Sequence, residues 1–125
     1  MNVNTYLPRQ YGTPLPGWDL VTDVWKAERG LGVTTYKTVN SSIRAIAAAF
    51  RLALHKGPEG LTPIAEPQDL CLVLLGKSEK VGLHHCGIYW QGSVLHALAE
   101  GNLYQDLASI RDAYALIEFW DQAAA

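Results

Sequence analysis

The sequence predicts an α+β fold in which N-terminal helices pack on an antiparallel sheet. Apolar residues recur at helical spacing in the first half of the chain, and after Pro67 the pattern changes to that of strands. The dipeptide Gln91-Gly92 is typical of a tight turn and joins two of these strands into a hairpin. Helices followed by a meander of strands are typical of α+β proteins.

The composition is that of one globular domain, 1–125, without internal repeats. The chain has 125 residues, of which 49% are hydrophobic and 18% charged, and its mean hydropathy is +0.02. Ten Lys and Arg against twelve Asp and Glu give a formal charge of −2. This balance supplies no basic field for nucleic acid, so no nucleic-acid partner is expected.

No membrane span or signal peptide is expected either. The longest apolar run, 70–75, has the length of a strand rather than the roughly 20 residues of a membrane helix. The N-terminus lacks a basic flank followed by an apolar stretch. Two cysteines make no disulfide framework, which favours a protein made in a reducing compartment.

Two helices are predicted before residue 58. The first spans 18–29 and ends at Gly30, because its apolar residues share one helical face. These residues are Leu20, Val21, Val24 and Trp25. The second helix begins after a cap at 40–42 and ends at Gly57. Its apolar stripe comprises Ile43, Ile46, Ala47, Phe50 and Leu54.

Four strands and one short helix are predicted after residue 67. The run at 70–75 is continuously apolar, as expected of a strand buried on both faces. The hairpin strands are 84–90 and 94–98, and a last strand is predicted at 115–120. A short helix is predicted from Asp106, as its cap, through 111.

The densest cluster of reactive side chains lies in the hairpin, where His84, His85 and Cys86 precede the turn and His96 follows it. Successive side chains of a strand point to opposite faces, so His85 and Cys86 cannot form a nucleophile–base pair. A hairpin can instead bring His85 and His96 within contact distance.

Three interpretations of these histidines stay open on the residues alone. In the first, their ring nitrogens are simply hydrogen-bonded within the fold. In the second they hold zinc, although His84 and Cys86 share a face without an obvious further pair of ligands. In the third, His85 is a general base that His96 orients for a nucleophile on another element. We expect no metal and no cofactor, and we expect both cysteines to be buried and inert.

The chain resembles a known family in several segments. His-Cys-Gly-Ile-Tyr at 85–89, followed by Gly-Ser-Val-Leu-His-Ala at 92–97, resembles the histidine box of NlpC-type, papain-like cysteine peptidases. The segment 67–73 resembles the strand that precedes this box, and the helix from Trp18 resembles the family's nucleophile helix. The stretches 104–107 and 117–120 resemble the closing part of the phage tail branch. The resemblance implies a papain-like, NlpC-type fold over nearly the whole chain.

One position departs from the family pattern. The resemblance implies that His85 is the general base and His96 the third, orienting residue. Gly17 occupies the position where the family carries its nucleophilic Cys. A glycine has no side chain that can attack a carbonyl, so the covalent acyl-enzyme route is closed. Neither cysteine of the chain is placed to substitute for the missing nucleophile.

The resemblance therefore implies a phage or prophage tail-assembly or tail-tip component whose peptidase-like domain is a pseudo-enzyme. Its expected partners are other phage tail proteins and peptidoglycan stem peptides. Its expected location is the host cytoplasm during assembly and then the virion tail. The alternative is an active cell-wall peptidoglycan endopeptidase of the cysteine type, in which Gly17 is an inactivating replacement of Cys. Fold resemblance alone does not establish activity.

Overall fold

The computed structural model describes residues 1–11, 16–31, 61–98 and 100–122. It has the predicted α+β class, with a six-stranded antiparallel sheet and, within these residues, two α-helices. The helices are α1 (Pro16–Arg29) and α2 (Leu107–Ala113). The strands are β1 (Leu61–Ile64), β2 (Leu72–Gly76), β3 (His85–Trp90), β4 (Ser93–Leu98), β5 (Gly101–Asp106) and β6 (Leu116–Gln122). Their order across the sheet is β1-β6-β2-β3-β4-β5.

Both faces of the sheet are covered by apolar side chains. On one face, α1 packs against β3 and β4, and its buried Trp25 shares a core with Leu72 and Ile88. On the other face, Ile110 of α2 shares a second core with Val73. Successive residues of β2 alternate between these cores, and the whole strand is buried. The prediction of a strand buried on both faces is therefore confirmed.

Helix α1 begins two residues before the predicted start and ends where predicted. Pro16 is well suited to a first helical position because it lacks an N–H that would need a partner there. Gly30 follows the helix with a φ of +66°, a conformation that glycine adopts without steric cost. Its N–H donates to the Lys26 carbonyl at 3.2 Å.

Strand β2 begins at Leu72 rather than at residue 70. Leu70 has a φ of +70°, which turns the chain before it enters the sheet. Its carbonyl accepts a hydrogen bond from the Trp25 indole at 2.7 Å, and its N–H donates to the Tyr89 carbonyl at 2.7 Å. These contacts with α1 and β3 stabilise the turn. The other predicted strands and the short helix agree with the structure within two residues at each end.

Two strands were not predicted from the sequence: β1 and β5, which form the edges of the sheet. β1 has four residues and contains Pro63, which is tolerated in a sheet at an edge and argues against a strand in the sequence. β5 is largely polar and exposed, so it lacks the apolar alternation by which strands are recognised. The predicted helix over 43–54 lies outside the described residues.

The described helices are too short and too polar to cross a membrane.

Candidate functional site

The three residues singled out in the sequence meet at the start of α1. Gly17 is the second residue of this helix, His85 is the first residue of β3, and His96 lies in β4. A Cβ atom built on Gly17 would lie 3.3 Å from both Cε1 and Nδ1 of His85. On the other side of the same ring, Nε2 of His85 lies 2.8 Å from Nδ1 of His96. The two imidazoles therefore face each other across the hairpin.

A fourth residue, Gln105, extends this chain of contacts. Its Oε1 lies 2.7 Å from Nε2 of His96. The strand register explains the meeting: His96 is paired with Leu103, so Gln105 lies two residues further along the same face of the sheet. Gln105 was not predicted as a site residue from the sequence. Its position follows from strand alternation once β5 is known to pair with β4.

The orientation of the Gln105 amide fixes where the protons lie in this chain of hydrogen bonds. With the Gln105 amide oxygen facing His96, Nε2–H of His96 donates to that oxygen. Nδ1 of His96 then accepts from Nε2–H of His85. The remaining nitrogen of His85, Nδ1, carries a lone pair and faces Gly17. This is the tautomer that a proton acceptor at the start of α1 requires.

Gly87 makes the close approach of the two strands possible. It is paired directly with His96, and a Cβ on Gly87 would lie 2.5 Å from the Leu95 carbonyl oxygen and 2.9 Å from the His96 Cβ. Any side chain there would push the hairpin strands apart. The glycine of the predicted histidine box therefore has a steric role: it lets His96 lie next to His85.

Tyr114, directly after α2, packs against the ring of His85. Its ring stacks on that of His85 at a centroid distance of 5.9 Å and an interplanar angle of 21°. Burial raises the pKa of the Tyr114 phenol. Nothing in the sequence pattern pointed to this residue. His84, the neighbour of His85, instead accepts a hydrogen bond at Nε2 from the Lys77 N–H at 3.1 Å.

Burial keeps both rings of the pair neutral. The pKa of His85 is lowered, mainly by burial and further by the neighbouring rings of His96 and His84. Burial also lowers the pKa of His96, against the opposing effect of its hydrogen bond to Gln105. At pH 7 the pair is therefore uncharged, and His85 has the protonation state of a general base.

Neither cysteine can serve as the nucleophile. Both are fully buried, as predicted, and burial raises the pKa of Cys71 to about 11. Burial, with a further contribution from the Asp19 carboxylate, also raises the pKa of Cys86. A thiol with a raised pKa forms little thiolate, the species that attacks. In the described parts of the chain, no three His, Cys, Asp or Glu side chains gather into a group that could hold a metal ion.

Backbone closes the space at position 17. A Cβ on Gly17 would lie 2.9 Å from the carbonyl oxygen of Cys86, closer than real Cβ atoms approach such a group. That oxygen belongs to β3, whose pairing with β2 and β4 restrains it. A side chain at position 17 therefore requires α1 or β3 to shift.

The chain matches no model of a known protein family, no curated protein and no solved structure.

The chemistry that the site allows is determined by the ring nitrogens of His85 and their partners. His85 can accept a proton at Nδ1, and His96 and Gln105 can orient it. Residue 17 is a glycine, so it offers no thiol or hydroxyl that could give up that proton and attack.

Alanine substitutions at the two histidines are expected to differ in their cost. His96 is 1% exposed and hydrogen-bonded on both sides, so His96→Ala leaves a cavity and two unpaired polar partners. We expect this substitution to lower the free energy of unfolding by about 2 kcal/mol. His85→Ala removes a partly exposed ring and one hydrogen bond, and it is expected to cost about 1 kcal/mol. Urea denaturation measures both. A larger loss for His85→Ala would mean that His85 is mainly a packing residue.

Proposed function

We propose that this chain is an NlpC-type, papain-like domain that has lost its nucleophile and acts as a phage or prophage tail-assembly or tail-tip component. One observation carries the proposal: the free nitrogen of an oriented, neutral imidazole faces the start of a helix, and the residue there is Gly17. The resemblance of the sequence to the histidine box supplies the family and the tail branch.

The surroundings of Gly17 are those that activate a thiol. A helix N-terminus stabilises a thiolate through its dipole, and a neighbouring imidazole accepts the proton. Here the N-terminus of α1 and Nδ1 of His85 provide both effects. His96 and Gln105 hold the imidazole in the required tautomer. This arrangement supports a peptidase ancestry, because an isolated structural histidine needs neither an orienting chain nor a helix start.

The packing at Gly17 favours the pseudo-enzyme over the active endopeptidase. If the chain were an active enzyme altered at one position, the space for a Cys side chain would remain open. Instead, the Cys86 carbonyl oxygen lies 2.9 Å from the Cβ position of Gly17. We infer that the backbone is fitted to glycine and that the domain binds rather than cleaves. Peptidoglycan stem peptides and other tail proteins are the partners that the resemblance implies.

The proposal is tested by incubating the native chain with intact sacculi and with purified stem peptides and following released fragments by mass spectrometry. We expect no fragments, because a base without a nucleophile loses the covalent step and with it several orders of magnitude in rate. An active cysteine endopeptidase serves as the positive control. Release of fragments by the native chain, abolished by His85→Ala, would show that the domain is an enzyme.

The tail assignment is tested separately. Phage particles and tail intermediates are purified from cells that encode this chain, and their proteins are identified by mass spectrometry. We expect the chain to co-purify with tail proteins at a fixed stoichiometry. Its absence from both particles and intermediates would contradict the assignment while leaving the pseudo-enzyme proposal unaffected.

A further inference from the structure

His85 connects the first turn of α1 to the sheet. One edge of its ring faces Gly17, with 3.3 Å between Nδ1 and the Cβ position, and the other edge is hydrogen-bonded to His96. Tyr114 covers one face of the ring. A titratable ring therefore lies beside the first turn of α1, next to the apolar core through which the helix packs on β3.

The described groups that act on the charge of this ring include no carboxylate. The titratable groups that act on His85 are His96, which lies across the hairpin, and His84, which precedes it; both disfavour a positive charge. Lys77 acts on His84 in the same direction. Tyr114 is a neutral phenol. The nearby carboxylate of the first turn of α1, Asp19, acts on Cys86.

Within the hydrogen-bonded chain of His85, His96 and Gln105, one nitrogen can take up an added proton. Each hydrogen bond in the chain His85–His96–Gln105 already contains one proton. A second proton between the two rings would leave two N–H donors, on Nε2 of His85 and Nδ1 of His96, facing each other without an acceptor. Protonation therefore occurs at Nδ1 of His85, the nitrogen that faces Gly17. The resulting imidazolium lies against the positive end of the α1 dipole and in a site that burial has largely removed from water.

We propose that protonation of His85 releases the first turn of α1 from β3, so that the fold contains an acid-sensitive latch at Gly17. This inference does not depend on the chain's being a peptidase relative. The closed state holds the imidazole neutral, and the open state lets it titrate near its ordinary pKa of about 6.5. The latch is therefore closed above about pH 6.5, and its opening constant increases about tenfold for each pH unit below that value.

The two cysteines are matched reporters of this opening. Both are fully buried, but they lie in different cores: Cys86 with α1, and Cys71 on the opposite face of the sheet. The carbonyl oxygen of Cys86 lies 2.9 Å from the Cβ position of Gly17, in the first turn of α1. Release of the first turn of α1 exposes Cys86 alone, whereas global unfolding exposes both thiols.

The experiment measures labelling of each thiol by a dipyridyl disulfide between pH 7 and pH 4.5. Peptide mass spectrometry separates the two sites, and each rate is divided by that of the urea-unfolded chain at the same pH. We expect labelling of Cys86 to rise about tenfold per pH unit below about 6.5 while Cys71 stays protected. Cys86 labelling that stays constant, or that rises together with Cys71 labelling, would overturn the proposal.

Two variants identify the titrating group. His85→Phe keeps an aromatic ring over Tyr114 and cannot take up a proton, so the pH dependence of Cys86 labelling should disappear. His84→Asn removes the neighbouring titratable ring and should leave the dependence in place. If His85→Phe does not fold, His85→Asn replaces it. If the pH dependence persists without His85, or if it is lost in His84→Asn, then a group other than His85 takes up the proton. Either result would contradict the latch.

Discussion

Gly87→Ala is expected to lower the free energy of unfolding by about 3 kcal/mol. A Cβ at this position would lie 2.5 Å from the Leu95 carbonyl oxygen and 3.0 Å from Cγ1 of Val94, inside the hairpin. These neighbours are strand backbone and a buried side chain, so the strands must separate to admit even one methyl group. Chemical denaturation measures the loss. Because His96 is paired with Gly87, the separation should also weaken the His85–His96 hydrogen bond.

Ser93→Ala in the same hairpin is the control, and we expect it to change the free energy of unfolding by less than about 0.5 kcal/mol. If Gly87→Ala proved as mild as this control, the two strands would lie further apart at the histidine pair than they do in this structure.

Gly17→Cys is expected to destabilise the fold without restoring useful hydrolysis. Gly17 lies in the first turn of α1, so its replacement gains less than the roughly 1 kcal/mol by which alanine exceeds glycine in a helix interior. Here the Cβ meets the Cys86 carbonyl oxygen at 2.9 Å, so we expect a net loss of about 1–2 kcal/mol. Hydrolysis of stem peptides should remain at most a trace, because the thiol enters a site whose backbone is fitted to glycine.

Gly17→Ala is the matched control for this substitution. It adds the same Cβ without sulfur, so the two variants should lose similar stability in a denaturation experiment. A gain in stability for Gly17→Ala would show that the space at position 17 is open. Hydrolysis by Gly17→Cys at the rate of an active cysteine endopeptidase would favour the alternative, an enzyme inactivated at one position.

The part of the site that lies in one hairpin could be predicted from the sequence. The Gln91-Gly92 turn and strand alternation are local features, and they place His85 and His96 on one face at neighbouring positions. The turn itself has the predicted geometry, with positive φ values of 47° and 86°.

The rest of the site depends on contacts between distant segments. Gln105 lies in an exposed, polar edge strand that has no apolar alternation to mark it. Tyr114 reaches His85 only because α2 packs behind the sheet. The closure of position 17 arises where α1 approaches β3, a distance that no local pattern encodes. Tertiary packing, and not the local sequence pattern, therefore determines where these residues lie in the site.

The most direct test of the proposal that His85 is an oriented base without a nucleophile is the protonation state of each imidazole nitrogen, measured by ¹⁵N NMR at pH 7. We predict neutral rings with Nε2–H on both His85 and His96, and an unprotonated Nδ1 on His85 facing Gly17. His85→Ala assigns the signals. A proton on Nδ1 of His85 at pH 7 would contradict the account, because the nitrogen that faces Gly17 would then be unable to accept one.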